Sequence, residues 1–276
     1  MPEGDTIYRA AQTLQRALGG EVVTGFRSVY PAVTRVDIDT PVSGRTIDAI
    51  RAVGKHLLIT FSGDLILHTH MRMHGAWHLY RPLERWHRPS ADMRIVIDTR
   101  RFVAVAFLVP VAAWLTAATL AQHPVIAALG PDLTDPAFDA ADVVRRARTR
   151  TGQTIEDTLL DQRVVAGIGN VFKSEVLFEG GVHPFQPTTE VPDETLARLL
   201  VVAQRQMRMS IMPAAASLSP ARGRRTTGRL DPRESLWVYG RGGRPCRRCG
   251  TPIRSRQSGA DARLTYWCPQ CQPEGR

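Results

Sequence analysis

Apolar residues recur at Ile7, Ala10, Ala11, Leu14 and Leu18, the spacing of one helical face, and Gly19-Gly20 follow at once. The pattern predicts a helix over Thr6 to Leu18 with a glycine stop. From about Glu21 to Phe107 the period shortens to β-branched runs broken by Gly, Pro and Asp. His56 to Phe61 and Leu65 to His68 flank a Ser62-Gly63-Asp64 turn, and Arg94 to Ile97 and Phe102 to Val105 flank a second turn. Several short strands at this spacing predict a β-sandwich or barrel. Beyond Gly130-Pro131 helical spacing returns, over Pro136 to Arg148, Thr154 to Asp161, Gly169 to Glu179 and Asp193 to Ser210. Ala214 to Ser235 has the basic, Gly- and Pro-containing composition of a mobile loop, and Trp237 to Tyr239 reads as a short strand leading into a cysteine-bearing tail. The expected fold class is α+β: an N-terminal helix plus β domain over 1–130, a helical domain with the basic loop over 131–235, and a compact tail over 236–276.

One stretch needs a membrane test. Phe102 to Ala121 carries no charge and is long enough to span a bilayer. Its many alanines, Pro110 and its hairpin-like first half predict buried core instead. The polar, acidic start, Pro2-Glu3-Gly4-Asp5, lacks the features of a secretory signal. Charge narrows the picture further. A formal net charge of +10 and a pI near 10.3 suit a polyanionic partner, nucleic acid before anionic membrane. Of the 36 basic residues only Lys55 and Lys173 are lysines, so 34 are arginines, and a general arginine bias accounts for most of them.

Cys246-x-x-Cys249 and Cys268-x-x-Cys271 are the chain's only cysteines, and 18 residues separate the two pairs. Two such knuckles complete a tetrahedral set of thiolates, the pattern of a zinc ribbon. With all four positions taken by Cys the site is closed, so one structural Zn2+ is expected and no hydrolytic role. From Arg222 to Arg256 eleven arginines face only Asp231 and Glu234, a local balance of +9. A charged run on a rigid ribbon suits phosphate docking, and a generic nucleic-acid-binding ribbon would look the same.

At the other end, removal of Met1 would leave Pro2 as a secondary amine. An α-amino group with a pKa near 8 is substantially neutral at pH 7. Attack on C1′ of a deoxyribose would give an iminium ion that acidifies C2′ and permits loss of the 3′ phosphate. Glu3 beside it has the chemistry to move the protons. A proline and an acid at a helix start are also ordinary helix-initiating residues.

Pro2-Glu3-Gly4, Leu159-Leu160-Asp161-Gln162 through Gly167-Ile168-Gly169-Asn170, and Tyr266-Trp267-Cys268-Pro269-Gln270-Cys271 occur together in this order. The set resembles the formamidopyrimidine-DNA glycosylase/endonuclease VIII family over nearly the whole chain, with the start of the endonuclease VIII branch. The resemblance implies an N-terminal helix plus β-sandwich domain, a helix–two-turn–helix domain and a C-terminal zinc ribbon. It makes Pro2 the Schiff-base nucleophile and Glu3 the proton donor and acceptor. Lys55, in Gly54-Lys55-His56, matches a phosphate-contacting lysine near the lesion, and Arg263 matches the arginine at the tip of the zinc hairpin that assists strand cleavage. Asn170 matches the asparagine of the helix–two-turn–helix motif, where a helix N-terminus suits phosphate. Arg72, Met73 and His74 match residues that fill the gap left by an everted base, with a core role for Met73 as the alternative. Two positions depart from the family: Thr6 stands where a glutamate is usual, and Ala128 where an arginine is expected. Asp98 to Phe102 is superficially similar to a second wedge loop but fits a hairpin better.

The expected function is therefore a bifunctional DNA glycosylase/AP lyase of base excision repair. It would remove oxidised bases, pyrimidines favoured, and nick the strand by β,δ-elimination. Damaged DNA is the expected partner; a monomer, cytoplasmic and nucleoid-associated, with no membrane partner, is the expected state. Two rival readings stand beside it: an AP lyase with little glycosylase activity, and a non-catalytic zinc-ribbon nucleic-acid-binding protein.

Overall fold

A computed structural model describes residues 2–211, 224–229, 231–259 and 262–274. The chain divides into two compact units, Met1–Ala128 and Leu129–Arg276. In the first, helix α1 (Gly4–Leu18) buries Ile7, Ala11, Leu14 and Leu18, the apolar face read from the sequence. Gly19 closes it, its N–H donating to the Gln15 carbonyl at 2.9 Å, and Gly20 turns the chain at φ +79°.

Eight strands follow: β1 (Val23–Ser28), β2 (Ile47–Val53), β3 (His56–Phe61), β4 (Leu65–His70), β5 (Ala76–Tyr80), β6 (Met93–Thr99), β7 (Val103–Phe107) and β8 (Val111–Leu115). They form two four-stranded antiparallel sheets, in the orders β1-β6-β7-β5 and β2-β3-β4-β8. Ile95, Ile97, Ala104 and Ala106 of one sheet share a core with Ile50, Leu57, Ile59 and Leu67 of the other and with the buried face of α1. Period-2 alternation with one shared interior makes a β-sandwich, not a barrel. The uncharged Phe102 to Ala121 stretch becomes β7, β8 and a short helix α3 (Ala117–Ala121). Among the described residues no helix is long and apolar enough to cross a membrane.

One element escapes the sequence pattern. Helix α2 (Pro31–Asp39) runs through a β-branched segment that reads as strand. Pro31 at its first turn favours helix initiation, and Trp114 of β8 donates its indole N–H to the Val33 carbonyl at 3.0 Å.

The second unit contains α4 (Ala140–Arg148), α5 (Ile155–Leu160), α6 (Asn170–Gly180) and α7 (Asp193–Ile211). Helix α4 starts four residues later than Pro136, because the Asp139 carboxylate accepts from the Ala141 and Asp142 N–H groups and caps it there. Helix α6 is buried almost all round. Phe172, Val176 and Leu177 enter a core with α4, α5 and α7, and Phe178 enters a second core with Val238, Cys246, Ile253 and Cys268. The C-terminal hairpin is β9 (Arg254–Ser258) and β10 (Arg263–Trp267). Trp237 to Tyr239 does not form the expected strand. Its three backbone N–H groups instead donate to the Glu175 carboxylate of α6, at 2.7 to 2.8 Å. Of the Ala214 to Ser235 loop, residues 214–223 and 230 lie outside the described set, and Pro232–Glu234 forms a 3-10 turn.

Candidate active site and zinc ribbon

Helix α1 fixes where Pro2 and Glu3 sit. Gly20 N–H meets the Ile47 carbonyl, and the Gln15 side chain accepts from Ile50 N–H, so α1 runs antiparallel to β2. Twelve residues of helix from Gln15 back to Glu3 rise about 18 Å, and the five residues of chain from Ile50 to Lys55 advance roughly 16 Å. The start of α1 thus lies at the end of the sheet where β2 turns into β3 through Gly54-Lys55. Gly54, at φ +58°, takes the first place of that two-residue turn, which a side chain would disfavour.

Glu3 is the N-cap residue of α1, and its backbone carbonyl accepts from Thr6 and Ile7 N–H at 2.9 and 3.1 Å. Its carboxylate is fully buried and makes no capping bond, unlike an ordinary helix-initiating acid. Pro2 beside it is half-buried. Asp5, also buried, accepts from the Thr6 hydroxyl at 3.2 Å and lies 3.7 Å from Arg9.

The Arg72 to His74 loop is at the same end of the sheet, since His56 at the start of β3 pairs with His70 at the end of β4. Arg72 adopts a left-handed φ of +48°, and its N–H donates to His70 Nδ1 at 3.1 Å. Arg72, Met73 and His74 are all exposed, Met73 at 54%, so the alternative of a core methionine does not hold. Pro2, Glu3, Lys55 and the Arg72 to His74 loop are brought together at one end of one sheet.

Sequence reasoning missed the imidazoles beneath them. His56 Nδ1 and His68 Nε2 are 2.8 Å apart, and His70 and His123 pack against them with ring centroids 4.8 and 5.2 Å away. Burial first, then neighbouring positive groups, lowers His56 to about 3 and His68 to about 4, so both are neutral at pH 7. His68 Nδ1 is buried without a partner, which favours the tautomer with the proton on Nε2, donated to His56. The signal in the sequence was His56, His68 and His70 on facing strands, readable only once the register is known.

Asn170 and Arg263 belong to the second unit. Asp161 and Gln162 brace the turn before α6: Asp161 accepts from Arg163 N–H at 3.0 Å, and the Gln162 amide donates to Leu160 and Ile168 carbonyls and accepts from Gly167 N–H at 3.2 Å. Gly167 takes φ +105° there. Asn170 at the start of α6 is buried and donates from Nδ2 to the Leu264 carbonyl at 2.9 Å, which places it beside the strand carrying Arg263.

The four cysteine sulfurs lie within 4.8 Å of one another, with Cys246 and Cys271 at 3.9 Å and Cys249 and Cys268 at 3.4 Å. A tetrahedron of Zn–S bonds of about 2.3 Å has S···S edges of roughly 3.8 Å, so the set fits one zinc ion. Burial and the neighbouring sulfurs push Cys268 and Cys271 up, the repulsion that a divalent cation offsets. Gln272 holds the second knuckle, accepting from Cys268 N–H at 3.0 Å and donating to the Val182 carbonyl at 2.8 Å.

Comparison with known proteins identifies the domains of the chain. Residues 1–107 match the formamidopyrimidine-DNA glycosylase N-terminal domain, 129–220 its H2TH domain, and 243–273 the zinc finger found in FPG and IleRS. The chain is 39% identical over 275 residues to a probable endonuclease 8 2 of Streptomyces coelicolor, covering 99% of this chain and 94% of that one. The chain belongs to the formamidopyrimidine-DNA glycosylase/endonuclease VIII family. Its members are DNA glycosylases and AP lyases of base excision repair, and the four cysteines are the zinc site of the family's finger. A DNA-(apurinic or apyrimidinic site) lyase of Mycolicibacterium smegmatis is 36% identical over 272 residues, covering 99% of both chains. In fold, the chain is similar to the Lactococcus lactis Fpg in its complex with abasic-site DNA, with a TM-score of 0.81 at 23% identity over 99% of this chain and 100% of that one.

Proposed function

We propose that this family member is a bifunctional DNA glycosylase/AP lyase that removes oxidised bases, pyrimidines favoured, with Pro2 as nucleophile. The observation that carries the reading is a fully buried glutamate next to Pro2 on a helix anchored in the core, its carboxylate not used as a cap. After loss of Met1, the Pro2 nitrogen forms a bond to C1′ while the bond to the base breaks, Glu3 supplying a proton. The proton lost from the Pro2 nitrogen passes through Glu3 to the ring oxygen O4′, whose bond to C1′ breaks to give an iminium. The iminium draws electrons from the C2′–H bond, Glu3 takes that proton, and the 3′ phosphate leaves. A second elimination releases the 5′ phosphate. Lys55 and Arg263 hold phosphates, Arg72, Met73 and His74 fill the vacated stack, and Asn170 serves the phosphate-binding turn. The protein acts on damaged chromosomal DNA as a monomer.

Borohydride reduction tests the central step. The processed protein is expected to trap covalently on abasic DNA, whereas protein with a blocked N-terminus is not; trapping by the blocked form would overturn the assignment to Pro2. A second reading, an AP lyase with little base excision, draws support from Thr6 at the position of a usual glutamate and from the name of the M. smegmatis relative. Thymine glycol, dihydrouracil, 8-oxoguanine and abasic substrates, assayed side by side, separate the two.

A further inference from the structure

Two buried charges take no part in the chemistry above. Lys173 on α6 and Glu156 on α5 are each 1% exposed, with Nζ donating to Oε2 at 3.1 Å. The Thr265 hydroxyl of β10 closes a triangle, accepting from Lys173 Nζ and donating to Glu156 Oε2. Removing two ions from water is costly, and apolar side chains of similar volume often match or exceed a buried pair in stability. Stability alone is therefore a poor reason for the pair. Its third member offers a better one.

Thr265 and Arg263 are two residues apart on β10, so their side chains leave the same face of the strand. Between them, the Leu264 carbonyl accepts from Asn170. Across the hairpin Ser258 stands opposite Arg263, and its hydroxyl lies 3.3 Å from that of Thr265. Asp157, Asp161, Arg163 and Arg263 line the cleft between α5 and this hairpin. A slip of β10 by one residue would set Leu264 or Tyr266 against the ion pair and turn Arg263 to the opposite face. Burial of one face of β10 resists such a slip, and a hydroxyl held between two opposite charges adds a directional constraint to it.

We infer that Lys173 and Glu156 are positioning residues for Arg263, holding the register of the zinc hairpin against α5 and α6. The inference rests on Arg263 serving the phosphate grip and strand cleavage proposed above. The test is a cycle in the full-length, zinc-loaded protein: Glu156→Gln/Lys173→Met, Arg263→Ala, and the triple variant. The double variant is expected to keep its zinc and melting temperature yet nick a preformed abasic site about ten- to a hundredfold more slowly, as misplacement by around 1 Å does. Its salt dependence of binding should fall by about one unit of slope, the loss of one phosphate contact. Adding Arg263→Ala should change neither further. Wild-type nicking and slope in the double variant, or a full additional drop in the triple, overturns the inference. If the double variant loses zinc or melts early, Thr265→Val replaces it, since it cuts the link to β10 and leaves the ion pair intact. The same losses are then expected, and wild-type behaviour is the overturning result. An Arg263→Ala variant indistinguishable from wild type has a different signature: it removes the role of Arg263 itself, and this inference with it.

Discussion

At the scale of single residues, position beside Pro2 separates Glu3 from Asp5, the other acid at the start of α1. Asp5 lies one residue beyond Gly4 and is buried as fully, but its carboxylate faces the Thr6 hydroxyl and Arg9. Thr6 can donate that hydrogen bond, whereas a glutamate there could not do so when ionised. In the proposed chemistry, the buried carboxylate next to Pro2 is therefore the one that moves protons. Glu3→Gln preserves shape and removes the carboxyl group that can give up and take back a proton. It is expected to lower base excision by about 10²–10⁴-fold, the usual contribution of general acid–base catalysis, and to slow nicking of a preformed abasic site less. Single-turnover rates on both substrates check this; normal excision with weakened binding would make Glu3 a helix-start residue only. Arg72 adds a second case. Its left-handed backbone is unusual for a side chain of that size, and the His70 acceptor helps to hold it.

At the scale of elements, what was legible in the sequence was what is local. The 3.6-residue period of α1, the two hairpins and the paired C-x-x-C knuckles each declare themselves within a few residues. Helix α2 was not legible, because Val33, Thr34, Val36 and Ile38 carry the composition of a strand and tertiary packing decides otherwise. Nor were the buried charges of α6. The sequence does not pair Lys173 with Glu156, which lies 17 residues earlier on another helix and meets it only in the fold. Glu175 failed in the same way. It is fully buried and accepts from the Thr226 hydroxyl and from Trp237, Val238 and Tyr239 N–H, so a segment that looked like a strand is instead moored to one carboxylate. Burial pushes the Glu175 carboxyl up, and these four donors oppose the shift. Glu175→Ala would strand three N–H groups, that of buried Val238 and those of half-buried Trp237 and Tyr239, and a buried donor left unpaired costs about 1–3 kcal/mol. It should lower the unfolding free energy by several times the effect of Glu179→Ala, whose carboxylate meets Arg205 and Gln206 nearer the surface. Denaturant melts of the two variants compare them, and equal losses would contradict the mooring role.

At the scale of the whole molecule, charge and metal are concentrated at one end of the chain. The Arg222 to Arg256 segment carries a balance of +9 against a chain total of +10. Part of that charge is organised by stacking on apolar rings: Arg248 lies 4.6 Å over Phe178, and Arg256 lies 3.5 Å over Phe185. Among the described residues, the ribbon that presents these arginines has a small buried core of Val238, Cys246, Ile253 and Cys268 with Phe178 of α6, two of them zinc ligands. So small a core depends on its metal for its fold. The β-sandwich has a large core of its own, and all four cysteines lie outside its unit. Chelation of zinc should therefore unfold the ribbon alone. DNA affinity should fall and become less sensitive to salt as phosphate contacts are lost. The β-sheet circular dichroism and the thermal transition of the first unit should persist. Trp237 and Trp267 belong to the second unit and Trp77, Trp86 and Trp114 to the first. Substituting the first three by Phe would let tryptophan emission report the ribbon's unfolding directly. Unchanged DNA affinity after verified loss of the metal would show that the arginines bind phosphate without the ribbon's fold. Loss of the β signal would show instead that the sandwich depends on the zinc.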